Sequence, residues 1–267
     1  MKNLSNYILE AKKQNLDVDR RQPKSRSELE MIISGAFKRK QYDLNFIDTS
    51  KITDMSELFE GVKHNFDVSS WDVSNVKDMS KMFSRCYAFT GKGLKNWDVS
   101  NVTDMSHMFD SCSIFIGKGL ENWDVSNVTN MYSMFLHCKK FDCDLSNWDM
   151  SNVIDTSLMF SNCAKFTGKG IDNWNVSKVK SMYAMFGDCT NFNCDVSNWD
   201  VSNVTDMDSM FVNCKKFTGK GLENWNVSKV KTMRTMFNGC KFNYHELDWD
   251  LSGLSSQLKT FRNYLDD

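Results

Sequence analysis

Residues 94–115 read Leu-Lys-Asn-Trp-Asp-Val-Ser-Asn-Val-Thr-Asp-Met-Ser-His-Met-Phe-Asp-Ser-Cys-Ser-Ile-Phe, and the same slots return along almost the whole chain. The tryptophans Trp71, Trp97, Trp123, Trp148, Trp174, Trp199, Trp225 and Trp249 are the only eight in the protein, spaced 26, 26, 25, 26, 25, 26 and 24 residues apart. A fixed period of this size is the mark of a solenoid, in which each unit buries its apolar face only against its neighbours. Within one unit, Trp97 and Val99 flank Asp98 in the period-2 pattern of a short strand with one buried face. Val102, Met105, Met108, Phe109 and Cys112 then follow at steps of three and four, as on a short helix or 3₁₀ turn. Thr103 or Asp104 is placed to cap that turn.

Three further rows repeat. The Met-Phe pair recurs at Met82-Phe83, Met108-Phe109, Met134-Phe135, Met159-Phe160, Met185-Phe186, Met210-Phe211 and Met236-Phe237, preceded by Leu58-Phe59. A later aromatic recurs at Phe89, Phe115, Phe141, Phe166, Phe192, Phe217 and Phe242, with His64 taking that slot in the first turn. Cysteine recurs at Cys86, Cys112, Cys138, Cys163, Cys189, Cys214 and Cys240, with Cys143 and Cys194 outside the row. Stacked like on like, the aromatic rows and the tryptophans form the expected core ladders. The expected fold is an α/β solenoid: a leucine-rich-repeat-like right-handed stack of about nine coils, counting Ile47 in the first tryptophan slot. Each coil carries one short parallel strand and one short helical or 3₁₀ turn. At a strand spacing of about 4.8 Å the stack is about 43 Å long.

The pattern Trp-Asp-Val-Ser-Asn-Val-Thr-Asp-Met-Ser-x-Met-Phe resembles the 25- or 26-residue repeat of BspA-like surface proteins, known from mycoplasma lipoproteins. The resemblance covers roughly residues 25–252, and the lead-in from Asp43 to Met55 looks like the family's first half-repeat. It implies a leucine-rich-repeat-like fold and a binding or surface role, and supplies no catalytic residues.

Solenoids need capped ends. Ser27-x-x-Glu30 has the form of a capping box, followed by Leu29, Ile32, Ile33, Ala36 and Phe37 on one helical face. The expected organisation is an amphipathic N-terminal helix or tether over 1–24 and a helical cap over 25–42. The repeats run over 43–252, and a closing helix over 253–267 is suggested by the spacing of Leu251, Leu254, Leu258, Phe261 and Leu265. The segment from Met1 to Lys13 lacks the unbroken apolar run of a signal peptide, so a cytoplasmic location is expected over the surface one of the family. The 33 Lys+Arg nearly cancel the 34 Asp+Glu, which removes the electrostatic case for nucleic acid or an anionic membrane surface. No membrane-inserting stretch is present, and a monomer is expected.

The candidate exposed face is the row following each tryptophan: Asp72, Asp98, Asp124, Asp149, Asn175, Asp200, Asn226 and Asp250. Carboxylates stacked at strand spacing repel and have raised pKa values unless something neutral or cationic intervenes. Local bonding by the nearby Ser and Asn side chains is the expectation; a calcium ladder is the minor alternative. Where the row changes to Asn175 and Asn226, Lys178 and Lys229 appear three residues later, which implies that these slots touch. Cysteines without recurring histidines read as reduced, buried small hydrophobes rather than zinc ligands. The Gly-Lys-Gly inserts at 91–93, 117–119, 168–170 and 219–221 read as turn chemistry rather than a phosphate loop. Catalysis needs unlike groups held together, whereas here the polar residues are nearly the same in every coil. Neither an enzyme nor a cofactor is expected. The expected function is a non-enzymatic scaffold recognising a protein or glycan, with a structural or adhesin-like surface component as the alternative.

Overall fold

The computed structural model describes residues 20–243, 247–252 and 254. Residues 1–19 of the proposed tether over 1–24, most of the closing helix and His245 lie outside the described residues.

Each repeat lies against the next, and the registration is carried by aromatic rings and backbone hydrogen bonds together. Phe59, Phe83, Phe109, Phe135, Phe160, Phe186, Phe211 and Phe237 run as one column, with successive centroids 5.4–5.9 Å apart and planes within 14° of parallel. A second column holds the indoles, which stack at 6.3–6.5 Å from Trp97 to Trp123 and again from Trp148 through Trp249. Every indole N–H donates to a backbone carbonyl of the preceding repeat at 2.8–3.3 Å, Trp123 to Leu94 for instance. Tryptophan therefore serves twice, as apolar mass and as a second donor to a carbonyl that already accepts the amide three residues on, such as Leu94 from Trp97.

Neither local element takes the form the spacing predicts. Trp97-Asp98-Val99 makes no strand; the turns on either side of it are closed locally, by Trp97 N–H to Leu94, Ser100 N–H to the Asp98 side chain and Val102 N–H to Val99. The stretch from Met105 to Cys112 is no helix either, but a chain of overlapping turns closed by Met108 N–H to Met105, Asp110 to His107 and Cys112 to Phe109. The intervening amides of Met105, His107, Phe109 and Ser111 point along the stack, donating to Asn130, Tyr132, Met134 and Leu136 of the next repeat at 2.7–3.0 Å. Pairing between repeats thus comes as isolated parallel bridges, Asp54 to Asp78 to Asp104 to Asn130 and on to Thr232. Asp104 does cap its turn, accepting the Ser106 amide at 2.7 Å, whereas the Thr103 hydroxyl donates to Lys77 of the preceding repeat. Two 3₁₀ turns, Leu94–Asn96 and Leu222–Asn224, sit before the tryptophan rather than after it.

The turn chain forces left-handed backbone at two positions per repeat, exemplified by His107 (φ 55°) and Ser111 (φ 63°). The first of these rows is Glu57, Lys81, His107, Ser133, Leu158, Ala184, Ser209 and Thr235, with φ between 46° and 59°.

Helix α1, Arg26–Lys38, closes the first repeat by burying Leu29, Ile33 and Ala36, with Ile32 and Phe37 packed at the margin. Its N-cap is Ser25, not Ser27: Ser25 is extended (φ −151°, ψ 163°) and its hydroxyl accepts from the Glu28 amide. Glu28 answers by accepting from the Lys24 amide at 2.7 Å, so the box is shifted two residues upstream. Just before the cap, Arg21 forms a parallel bridge with Ile47, so residues at the end of the proposed tether segment pair with the first repeat. A second correction concerns the first aromatic slot. Phe66 fills it, 2% exposed and stacked on Phe59 at 4.2 Å, while His64 is exposed against Tyr42. The first repeat simply takes one residue more between its two rings.

Candidate functional site

All eight members of the row after the tryptophans are exposed, as alternation predicts. Each side-chain oxygen accepts the backbone amide of the serine two residues on at 2.9–3.2 Å, Asp72 from Ser74 through Asp250 from Ser252. These are Asx turns, and they settle the electrostatics. At two positions the local bonding has an electrostatic consequence: the hydroxyl and amide of Ser126 hold the Asp124 carboxyl below its ordinary range, and those of Ser202 do the same for Asp200. Asn175 and Asn226 supply the same acceptor without the charge, which is why the row tolerates the exchange. Lys178 and Lys229 bond one repeat further back than expected, to Asn152 at 2.7 Å and Asn203 at 2.9 Å. In the other repeats the asparagine in the lysine slot reaches the preceding serine carbonyl instead, as Asn101 does to Ser74.

The cysteine row is a hydrogen-bonding device. Burial pushes the Cys86 thiol up to about 12 and Cys112, Cys138, Cys163 and Cys214 well above their ordinary value. Kept protonated, each thiol faces a phenylalanine carbonyl of the preceding repeat: Cys112 to Phe83 at 3.1 Å, Cys138 to Phe109 at 3.0 Å. Nucleophilic and metal-binding cysteine chemistry needs the thiolate, and all nine cysteines are free. Among the described residues no group of three or more His, Cys, Asp or Glu side chains is arranged to hold a metal ion. His64 and His137 are exposed and isolated from one another, and His107 lies half-buried between Asp110 and the edge of Tyr132. Lys139, Lys140, Lys165, Lys215 and Lys216 are all exposed.

The sequence reading passed over two features. One is a second, half-buried acidic row at the bridge positions Asp54, Asp78, Asp104, Asp155 and Asp206, where burial pushes the Asp206 carboxyl up. The other is the pairing of the glycine loops. Lys92, Lys169 and Lys220 each reach back to a carboxylate of the preceding repeat, Asp67 at 2.5 Å, Asp144 at 3.2 Å and Asp195 at 2.7 Å. Burial works against ionisation of Asp67, but hydrogen bonds from Lys92, Ser69 and Asn45 outweigh it and bring the carboxyl down to about 2. Lys220 and Ser197 bring Asp195 to about 2 as well. A carboxyl whose folded-state value lies below the unfolded one contributes stability that is fully present above about pH 4 and is lost as pH falls through the folded value near 2. Thermal melts should therefore hold steady from pH 7 to 4 and fall between pH 4 and 2. Asp67→Asn should melt lower at pH 7 and show a shallower acid drop; an unchanged drop would remove Asp67 from the account.

Among the described residues no helix is long and apolar enough to cross a membrane. No curated protein matches the chain. A family described as "Mycoplasma protein of unknown function, DUF285" matches it three times in tandem, over residues 27–93, 88–170 and 159–265, and on that match the chain belongs to this mycoplasma repeat family.

Proposed function

We propose that this repeat protein is a non-enzymatic recognition scaffold for a protein or glycan, a BspA-like solenoid of leucine-rich-repeat type. The observation that carries this reading is an unchanging backbone that carries changing side chains. Along the first left-handed row the φ angle stays between 46° and 59°. The side chains nevertheless pass from the exposed Glu57, ion-paired to Lys81, through the half-buried His107, Leu158 and Thr235, while Ser133 and Ala184 are buried. The neighbouring row adds Tyr132, the exposed Tyr183 and Arg234. Side-chain variation on a fixed frame is what a repeat scaffold needs to specify a partner. The row after the tryptophans, where Asp or Asn repeats in Asx turns with little change, offers less to discriminate.

The experiment is affinity capture and glycan-array binding with the full chain, beside a Tyr132→Ala/Tyr183→Ala variant and an Asp124→Asn/Asp149→Asn variant. One saturable partner lost only in the tyrosine variant is the expected result. Recovery of the chain in an assembled envelope or particle, with no saturable partner, would favour the structural rod.

A further inference from the structure

The glycine loops pair their lysines by a rule that one loop breaks. Counted back from the tryptophan, the second loop glycine occupies the slot that Asp67, Asp144 and Asp195 occupy in repeats without the insert. A loop lysine therefore finds its carboxylate only when the preceding repeat lacks the insert. Gly117-Lys118-Gly119 follows another glycine loop, so Gly93 stands where the carboxylate would be. Lys118 is exposed and has no carboxylate within ion-pair distance among the described residues.

A second break falls beside it. After the other three loops comes an acidic residue, Glu121, Asp172 or Glu223. Glu121 and Glu223 accept the amide of the second loop glycine at 2.7 and 3.0 Å. In the loop at 91–93 that slot holds Lys95, so the acid is replaced by a cation. Both breaks converge on one surface pocket of about 530 Å³, lined by Thr90, Lys92, Lys95, Asn96, Ile116 and Lys118 among others, and by no carboxylate. Lys92 is already neutralised by Asp67, with Asp43 also near it. Among the described residues Lys95 and Lys118 form no ion pair. Ile116, 51% exposed, adds an apolar shelf.

We propose that this pocket binds a ligand through a compact oxyanion, a phosphate, sulfate or carboxylate group, held between Lys95 and Lys118 with its apolar neighbour on Ile116. Two cations without an ion-pair partner among the described residues, at the one place where both repeat rules fail, form the local departure from periodicity that a recognition site requires. The assignment rests on the scaffold reading and specifies one of its sites.

The test titrates the full chain with inorganic phosphate, sulfate and acetate at constant ionic strength balanced with chloride, read by calorimetry and amide chemical shifts. Expected is one saturable site, with the ranking of the three anions giving the preferred group. Lys95→Glu, which restores the acid that follows the other loops, and Lys118→Gln should each weaken binding about tenfold, the loss of one charge-assisted contact. Lys169→Gln, a lysine already paired, should leave it unchanged. No saturable binding by any of the three, or an equal loss in Lys169→Gln, overturns the pocket. The titration needs no macromolecular partner, so its failure leaves the scaffold reading standing, and failed capture beside a working titration refutes the scaffold alone.

Discussion

Gly221→Ala should destabilise the C-terminal repeats severely, although it adds one methyl group. Gly221 has φ +94°, and a Cβ there would sit 2.2 Å from the Ser197 nitrogen, 2.6 Å from its Cα and 2.7 Å from the Val196 carbonyl carbon. All three atoms are backbone of the preceding repeat, so no side chain can swing away. The left-handed conformation costs an L-residue on the order of 1–3 kcal/mol, and forcing the repeats apart adds roughly 1–3 kcal/mol of overpacking. Gly61→Ala separates the two contributions, since Gly61 has φ +72° but nothing within 4 Å of its would-be Cβ. Urea unfolding followed by tryptophan fluorescence should show a clearly larger loss for Gly221→Ala than for Gly61→Ala. Equal losses would mean that the loops do not lie against the preceding repeat.

Phe160→Ala should cost about 3–5 kcal/mol, the range for deleting a fully buried aromatic side chain. Phe160 is 0% exposed and stacks on Phe135 at 5.5 Å and Phe186 at 5.8 Å, with Phe166 at 4.2 Å in its own repeat. Because repeats contact only their neighbours, the loss falls on two interfaces at once, and stability in such arrays is close to a sum of repeat and interface contributions. The expected denaturation curve therefore has two steps, the repeats on either side of Phe160 unfolding independently. A single transition with unchanged slope would show that coupling does not pass through this column.

The rows were legible because ring size and apolarity are written in the residue types. Tryptophan, Met-Phe and cysteine rows mark the buried interior directly, and the two classes of loop are visible as Gly-Lys-Gly or Phe-x-Cys-Asp. The backbone conformation was not legible. Leu158, Ala184 and Thr235 adopt φ of 59°, 46° and 50°, a region where β-branched and bulky residues are rare. No local preference signals it. At Leu158 and Ala184 the left-handed φ comes with hydrogen bonds to the adjacent repeat, Leu158 N–H to Tyr183 at 2.7 Å and Ala184 N–H to Asp208 at 2.8 Å, and tertiary bonding overrides propensity. At Trp97-Asp98-Val99 the converse holds: in place of the expected strand, turns close locally on either side of it. The role of cysteine as a hydrogen-bond donor between repeats could be read only once the Phe83 and Phe109 carbonyls were seen behind it.

The same distinction governs the candidate sites. Exposure of the Asp72 to Asp250 row followed from alternation, whereas its stabilisation by serine amides depends on turn geometry. The significance of Lys95 and Lys118 needs both sequence and structure: the slot comparison shows that they are exceptions, and the fold brings the two exceptions to one pocket.

The most direct test of the account is residue-resolved hydrogen exchange by NMR on the full chain. Within one repeat, the amides of Met105, His107, Phe109 and Ser111 should exchange slowly, because each bonds to the following repeat. The exposed Asx-turn amides of Ser100 and Ser126 should exchange far faster. The same alternation should recur in every repeat from Met79 to Asn213. Fast exchange at Phe109 and its counterparts, or protection along Trp97-Asp98-Val99 instead, would contradict a stack held together through its turns.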